Sequence, residues 1–370
     1  MNNYLNIISF DVPYPPNYGG IIDVFFKLKA LNQLGVKIIL HTYEYGRGEQ
    51  KELQKYCETV YYYKRNKNLN KVLSKLPFIV NSRINNQLLK KLQSNNYPIL
   101  FEGLHTTYPL IRNQLNKRQI IVRAHNVEHH YYLGLSRSEN SKTKRLYFLT
   151  EALKLKKYQP ILNSSSHILS ISKNDYNYFK KKLRTHIDYI PAFHQNNEIN
   201  ISVGKGDYAL YHGDLRVSDN IKACNYLCEI FSLLNYSLII AGNTNDKLFV
   251  NKIKTYPNIK LINQVDNENL NHLIKNAHIN ILPTFQNTGI KLKLINALFS
   301  GRFCLVNNEM VENTGLENLC QIANSKKEFL SKILELKDKS FPETEIIKRK
   351  QTLTEFDNLK NAQKIIDLIF

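Results

Sequence analysis

The sequence predicts an α/β protein with two domains, each built around a parallel β-sheet. The chain has 370 residues, which exceeds the size that one hydrophobic core usually serves. Short apolar runs alternate with longer segments of helical periodicity, as expected for repeated strand–helix–strand units. Apolar residues make up 43% of the chain and aromatic residues 11%, so each domain can bury a core.

The first domain is predicted over residues 1–190. One helix is clear between Ile21 and Gly35, because apolar residues recur there at helical spacing and Gly35 ends the series. Strands are expected in the short apolar runs, at Leu5–Phe10, Lys37–Thr42, Thr59–Tyr63, Ile99–Glu102, Gln119–Arg123 and His167–Ile171.

A polar segment with Pro and Gly and few apolar anchors, residues 191–207, is predicted to link the two domains. The second domain, residues 208–342, has its own apolar runs, at Tyr208–His212, Ser237–Ala241, Ile259–Ile262, Ile279–Leu282 and Phe303–Val306. Residues 343–370 have a helical pattern and are expected to pack across both domains. Two such sheets are expected to face a central cleft, with the carboxyl ends of their strands lining it.

The sequence has no apolar run of eighteen residues and no amino-terminal signal-peptide pattern, so a cytoplasmic protein is expected. The five cysteines are scattered and complete no zinc-site spacing. They are predicted to be buried structural thiols: Cys57, Cys224, Cys228, Cys304 and Cys320.

The formal net charge is +20, and much of it lies between residues 64 and 184. One interpretation is solvated helix faces in a lysine-rich chain. The other is attraction to an anionic membrane surface or to a phosphate-bearing acceptor. No helix-turn-helix, zinc finger or aromatic RNA-binding motif is present, so a nucleic-acid partner is not expected.

Several strand-to-loop transitions carry residues suited to a ligand site. Gly19 and Gly20 lead from the first loop into a helix, where the backbone can approach an anion. His105 and His125 each follow an apolar run and are the candidate catalytic groups, since a histidine can donate hydrogen bonds to ligand hydroxyls or polarise a reacting group. Gly213 begins a similar turn in the second domain, with Arg216 close behind.

The most specific stretch runs from Pro283 to Arg302. A strand is expected to end there in a turn at Thr288 and Gly289, before an amphipathic helix that Gly301 ends. Free amides at the helix start would bind a diphosphate. The same turn holds Lys291 and Lys293, and Asn296 follows about two turns after Thr288.

This stretch resembles the donor motif of retaining GT-B glycosyltransferases of family four, in the variant form G-T-R-x-K-x-L-E-A-M-A-x-G. The resemblance extends over nearly the whole chain: the glycine loop, the histidine-bearing strand ends, Ser-Lys-x-x-Asp, His-Gly-x-Leu, Ala-Gly and then this motif, in that order. It implies the GT-B fold, with two Rossmann-like parallel-sheet domains facing a central cleft.

The resemblance also implies roles for single residues. Gly19 and Gly20 match the loop that closes on the donor phosphates, and His125 matches the histidine near the transferred sugar. In the second domain Gly213 matches the first glycine, while Lys291 matches the diphosphate-binding Arg.

Two glutamates of the family's motif are replaced. Thr288 stands at the first, which touches the sugar, and Asn296 at the second, which contacts the ribose. Asp214 and Asp219 replace the family's phosphate-binding Arg and Lys. Other cations would then neutralise the diphosphate, namely Arg216, Lys222, Lys291 or Lys293.

The predicted function is metal-independent transfer of a sugar, with retention, from a nucleotide sugar to a glycan or lipid-linked acceptor in polysaccharide or glycoconjugate synthesis. The chain contains no Asp-x-Asp, which disfavours a metal-dependent class. The only small molecule required is the nucleotide-sugar co-substrate, and the protein is expected in the cytoplasm or at the inner membrane face. A nucleotide-sugar epimerase of the same architecture and a catalytically degenerate binding subunit are the alternatives.

Overall fold

A computed structural model describes residues 3–111, 115, 118–139, 141–285 and 291–370. These residues form two compact units. Unit 1 holds the described residues of Met1–Gln195 and Glu355–Phe370, and unit 2 holds those of Asn196–Asn287 and Lys291–Thr354.

The described part of unit 1 contains a seven-stranded parallel sheet. Its central strands are mainly apolar and buried, as is typical of parallel sheets covered by helices on both faces. The strands are β1 Tyr4–Ser9, β2 Lys37–Glu44, β3 Thr59–Lys64, β4 Ile99–Glu102, β5 Ile120–Ala124, β6 His167–Ser170 and β7 His186–Tyr189. The order across the sheet is β3-β2-β1-β4-β5-β6-β7, so the winding reverses between β1 and β4.

The helices between these strands pack on both sheet faces. These helices are α1 Gly19–Gln33, α2 Phe78–Asn81, α3 Asn86–Gln93, α4 Tyr108–Ile111, α5 Glu128–Ser138, α6 Lys142–Tyr158 and α7 Lys173–Lys182. Ser172 caps the amino terminus of α7 by accepting a hydrogen bond from the Asp175 amide.

The described part of unit 2 contains a six-stranded parallel sheet, in which the winding reverses between β8 and β11. The strands are β8 Tyr208–His212, β9 Ser237–Ala241, β10 Ile259–Ile262, β11 Ile279–Ile281, β12 Phe303–Val306 and β13 Gln321–Ile322, in the order β10-β9-β8-β11-β12-β13. The helices are α8 Ser218–Phe231, α9 Lys247–Ile253, α10 Asn267–Asn276, α11 Leu292–Ser300, α12 Asn308–Val311, α13 Lys326–Lys337 and α14 Glu343–Thr352.

The last helix, α15 Asn358–Ile369, belongs to unit 1, whereas α14 belongs to unit 2. Ala362, Ile365 and Ile369 of α15 enter the same buried core as the apolar face of α1. Among the described helices, none combines the length and apolar composition needed to cross a bilayer.

The prediction of two parallel-sheet α/β domains is confirmed, and every predicted strand is present. The sequence did not indicate β7 or β13. Residues 191–207 have the composition of an exposed linker, but the first part of this segment is buried in unit 1, at Ala192, Phe193 and His194. Four cysteines are buried as expected, and Cys320 is partly buried.

Candidate functional site

Each sheet reverses its winding once, and the predicted site residues follow the strands at these positions. In unit 1, Gly20 follows β1 and His105 follows β4. In unit 2, Gly213 follows β8 and Lys291 follows β11. Open α/β sheets bind ligands at this position, beside the carboxyl ends of the strands. The topology therefore indicates one candidate site in each unit.

In unit 1 a buried ion cluster lies at the ends of β4 and β5 and consists of Asp23, Lys27, Glu102, Arg123 and His125. Lys27 Nζ lies 3.0 Å from Asp23 Oδ2 and 2.8 Å from Glu102 Oε1. Arg123 binds both Asp23 oxygens, through Nη2 at 2.8 Å and Nε at 3.2 Å. Charges are tolerated in a core only when they are paired and hydrogen-bonded, as these are.

The same cluster holds the segment that leads out of unit 1. Arg123 donates to the carbonyl oxygens of Ile190 at 2.6 Å and Pro191 at 2.8 Å. The Phe193 amide donates to Asp23 Oδ1 at 2.8 Å. Burial opposes ionisation of Asp23, but Arg123, Lys27 and His125 outweigh it and hold the pKa of the carboxyl well below its usual range.

Asp23, Glu102 and His125 offer ligand atoms that all lie within 4.8 Å of one another, which is the spacing of a metal site. The ammonium group of Lys27, however, already contacts both carboxylates, and Arg123 binds Asp23 from another side. Two fixed protein cations therefore balance the two carboxylates. We interpret the cluster as an ion network in which Lys27 takes the place that a metal cation would occupy.

Glu102 orients His125. Its Oε2 lies 2.9 Å from His125 Nε2, so Nε2 carries a proton and donates it to the carboxylate. The other ring nitrogen, Nδ1, is buried and has no hydrogen-bond partner among the described residues. A Cβ on Gly20 would lie 3.7 Å from this atom and 2.8 Å from Phe10 Cζ. The missing side chain at Gly20 thus leaves room beside a polar atom of His125 that has no hydrogen-bond partner among the described residues.

His105 lies beside a second buried carboxyl group. Its Nδ1 is 3.9 Å from Glu128 Oε1, and neither atom has a hydrogen-bond partner in the described parts of the chain. At this spacing one oxygen atom of a ligand or a water can bond to both. Burial, supported by the nearby Asp175 carboxyl, raises the pKa of Glu128 to about 8, and burial with the charges of Arg83, His125 and Arg65 lowers that of His105.

The sequence pattern did not point to Glu128, nor to Gly103, which shapes the turn after β4. Gly103 has φ +68°, a backbone conformation that favours glycine. A Cβ there would lie 2.8 Å from His105 Nδ1. The glycine therefore allows both the turn and the position of the His105 ring.

Cations without carboxylate partners surround Tyr45, which follows β2. The ring centre of Tyr45 is 4.6 Å from Arg65 Cζ, 4.9 Å from Lys67 Nζ and 5.7 Å from Arg83 Cζ. Arg83 is buried and donates to the carbonyl oxygens of Phe10 and Ile79. Among the described residues, no acidic side chain lies within ion-pair distance of these three cations. The Tyr45 cation cluster (Arg65, Lys67 and Arg83) is therefore suited to an anionic group.

In unit 2 the lysine pair, Lys291 and Lys293, lies at the start of α11. Lys293 Nζ donates to Asn220 Oδ1 at 3.3 Å and lies 5.2 Å from the ring centre of Tyr211. Burial lowers the pKa of both lysines to about 8; the charge of Lys293 also lowers that of Lys291, while Asp219 opposes both shifts. Burial therefore makes the charged form of each lysine less favourable, and a bound anion would offset that cost. The pair is thus preorganised to bind negative charge.

The other predicted donor-site residues are distributed as follows. Arg216 is exposed, and its charge is paired with Asp214 at 2.8 Å. Asn296 accepts a hydrogen bond from Asn196 Nδ2 at 2.8 Å. A Cβ on Gly213 would lie 3.1 Å from Asn220 Cγ, so the Asn220 side chain would have to shift by a few tenths of an ångström. Gly19 begins α1, while Thr288 and Gly289 lie outside the described residues.

Comparison with known proteins identifies the architecture. No protein-family model matches the sequence. A glycosyltransferase from Rickettsia africae aligns with 100% of this chain and 98% of its own, with a TM-score of 0.67 and 16% identity. An E. coli trehalose-6-phosphate structure bound with UDP-2-fluoro glucose aligns over 98% of both chains, with a TM-score of 0.65 and 11% identity. The chain has the GT-B fold.

One curated protein is similar in sequence. It is an uncharacterized 44.6 kDa protein in the cps region of Klebsiella pneumoniae, 27% identical over 344 residues, and the alignment covers 88% of each chain. The likeness extends over most of both chains and therefore includes both units.

Proposed function

We propose that this protein is a glycosyltransferase that moves a sugar from a nucleotide-sugar donor to a glycan or lipid-linked acceptor. The observation that carries the proposal is the lysine pair, which places two partly buried cations beside the reversal point of the second sheet in a GT-B fold. The full-length likeness to glycosyltransferases supports sugar transfer, and the cps-region relative supports a role in polysaccharide synthesis.

The donor diphosphate would bind to unit 2. Lys291 and Lys293 would neutralise it, because burial disfavours their charge in the free protein and a bound anion would offset that cost. Arg216 is exposed and ion-paired with Asp214. Asn220 holds Lys293 from one side, so the ammonium group is oriented before the ligand arrives. Asn296 would bind the ribose as a neutral hydrogen-bonding group, and the diphosphate would meet the start of α11.

Unit 1 would supply the hydroxyl-binding groups. His125, oriented by Glu102, presents Nδ1 as an acceptor for a hydroxyl of the transferred sugar, beside Gly20. His105 and Glu128 would hold a hydroxyl between them, with the protonated carboxyl donating to the hydroxyl oxygen and the neutral ring accepting the hydroxyl proton. The Tyr45 cation cluster would bind an anionic group on the acceptor, which fits a phosphate-bearing, lipid-linked substrate at the inner membrane face.

We propose retention of anomeric configuration without a metal ion. The bond between the anomeric carbon and the donor phosphate oxygen breaks, and the acceptor oxygen bonds to that carbon on the same face. The acceptor proton passes to the departing phosphate oxygen. The lysine pair would stabilise the charge that develops on the diphosphate, which is the role that preorganised cations have with anionic leaving groups.

Product analysis separates this function from its two alternatives. The purified chain would be incubated with a panel of nucleotide sugars, with and without a lipid-linked glycan extract as acceptor. A transferase releases nucleoside diphosphate only when acceptor is present. An epimerase converts the donor without acceptor, and a degenerate subunit binds a nucleotide without turnover.

The residue test uses Lys291→Ala, Lys293→Ala and the double variant, with Lys247→Ala as the control, since Lys247 is an exposed lysine of the same unit. We expect turnover to fall at least tenfold in the double variant, as loss of one charge-assisted contact costs about 1.5–3 kcal/mol. Unchanged turnover in all three would refute the phosphate assignment, and full turnover in His125→Ala would exclude His125 from the reaction.

A further inference from the structure

The solvent-facing side of α6 in unit 1 is apolar, whereas this side of a surface helix is usually polar. Leu146 is 63% exposed, Leu149 38% and Leu153 62%. They are spaced three and four residues apart and therefore share one face. The buried Leu155 follows Leu153 by two residues, about 200° around the helix, so the leucines point away from the core. The leucine face, defined by these three residues, has no partner within the described chain.

Only cations and threonines accompany these leucines on the exposed surface of α6. The remaining exposed residues of the helix are Lys142, Thr143, Lys144, Arg145, Thr150, Lys156 and Lys157. The one acid of the helix, Glu151, is buried, where its carboxylate accepts hydrogen bonds from the Phe78 amide at 2.6 Å and from Lys154 Nζ at 2.8 Å. The leucine face is therefore bordered by unneutralised positive charge.

A neighbouring turn extends this surface. Lys154 Nζ donates to the Val72 carbonyl oxygen, which joins α6 to the 3-10 turn Leu69–Leu73. Leu73, at the end of the turn, is 88% exposed, and Lys75 close behind it is exposed as well. Exposed leucine next to exposed lysine thus occurs in two adjoining segments of unit 1.

We infer that the leucine face of α6 and its flanking lysines form a docking surface for an anionic lipid bilayer. Helices that lie in a membrane interface combine an apolar face with Lys and Arg at its borders, and anionic headgroups attract those cations. A second copy of this chain fits less well, because two such faces would bring their bordering cations, Lys142, Arg145, Lys156 and Lys157, against one another. An apolar face that is bordered by cations and lacks acidic residues is complementary to a surface that offers both apolar and anionic groups.

Vesicle flotation of the full-length protein tests the inference. The vesicles are phosphatidylcholine alone, and phosphatidylcholine with one quarter phosphatidylglycerol. We expect binding to the anionic vesicles only, weakened by added salt. Leu146→Gln/Leu153→Gln should reduce the partition coefficient at least tenfold. Lys156→Gln/Lys157→Gln should reduce it by about fivefold per charge, from about 1 kcal/mol for each cation near the surface.

The matched control is Leu248→Gln, because Leu248 in unit 2 is 83% exposed and outside the α6 surface. Full binding by the α6 leucine variant, equal binding to neutral vesicles, or no binding by the wild-type chain would each overturn the inference. Sedimentation of a dimer that the leucine variant dissociates would assign the face to self-association instead. Vesicle binding does not require sugar transfer, so failure here and failure of the proposed function are separate results.

Discussion

Replacing Lys293 with methionine should stabilise the free protein. The pKa of Lys293 falls from 10.5 to about 8, chiefly because of burial. At about 1.4 kcal/mol per pKa unit, the protonated lysine costs the fold at most about 3.5 kcal/mol at neutral pH. The side chain is partly exposed, and solvent screening reduces the expected figure to about 1–2 kcal/mol. Methionine keeps the length and removes the charge, while Asn220 Oδ1 keeps its bond from Tyr211.

The gain in stability from Lys293→Met should depend on pH. Below pH 8 the lysine is protonated in both folded and unfolded chains, so the full penalty applies. Between pH 8 and 10.5 the folded lysine loses its proton first, and the penalty declines. Urea unfolding followed by circular dichroism should therefore show a larger gain for Lys293→Met at pH 7 than at pH 9.5.

Lys247→Met is the control for the same measurement, since Lys247 is exposed on α9, and it should stay within about 0.5 kcal/mol of the wild type. A Lys293→Met variant that is less stable than the wild type at pH 7 would refute the reasoning. So would a gain in stability that is the same at both pH values.

Lys27→Met leaves the buried carboxylates short of one cation and should cost about 3 kcal/mol of unfolding free energy, most of which Lys27→Met/Glu102→Leu should restore in a double-mutant cycle. Gly103→Ala should destabilise by about 1–2 kcal/mol and reduce turnover, whereas Gly134→Ala, with free space around it in α5, should be neutral or stabilising. Affinity for a nucleoside diphosphate, measured calorimetrically, should fall as the pH rises through about 8, and Lys293→Met should flatten that dependence.

The fold was predictable because strands buried on both faces are short apolar runs in the sequence. The missed strand β7 has the sequence His-Ile-Asp-Tyr at the edge of its sheet, where only partial burial is needed. The missed strand β13 spans two residues, too few to form a pattern.

The buried ion cluster was not predictable as a unit. Asp23 and Lys27 are four apart in an apolar helix, and Arg123 interrupts an apolar strand, so each gave a local signal that a charge is buried there. Which charges meet depends on the packing of α1 against β4 and β5. Periodicity does not contain that information, and Glu102 as the partner of His125 emerged only from the structure.

Binding of the donor diphosphate by Lys291 and Lys293 of unit 2 is the feature on which the proposed function depends. Its most direct test is calorimetric titration of the purified wild-type chain and of Lys291→Ala/Lys293→Ala with a panel of nucleoside diphosphates. We expect at least one member to bind the wild type and to bind the folded double variant at least tenfold more weakly. Equal affinity for both proteins, or no binding to the wild type, would contradict it.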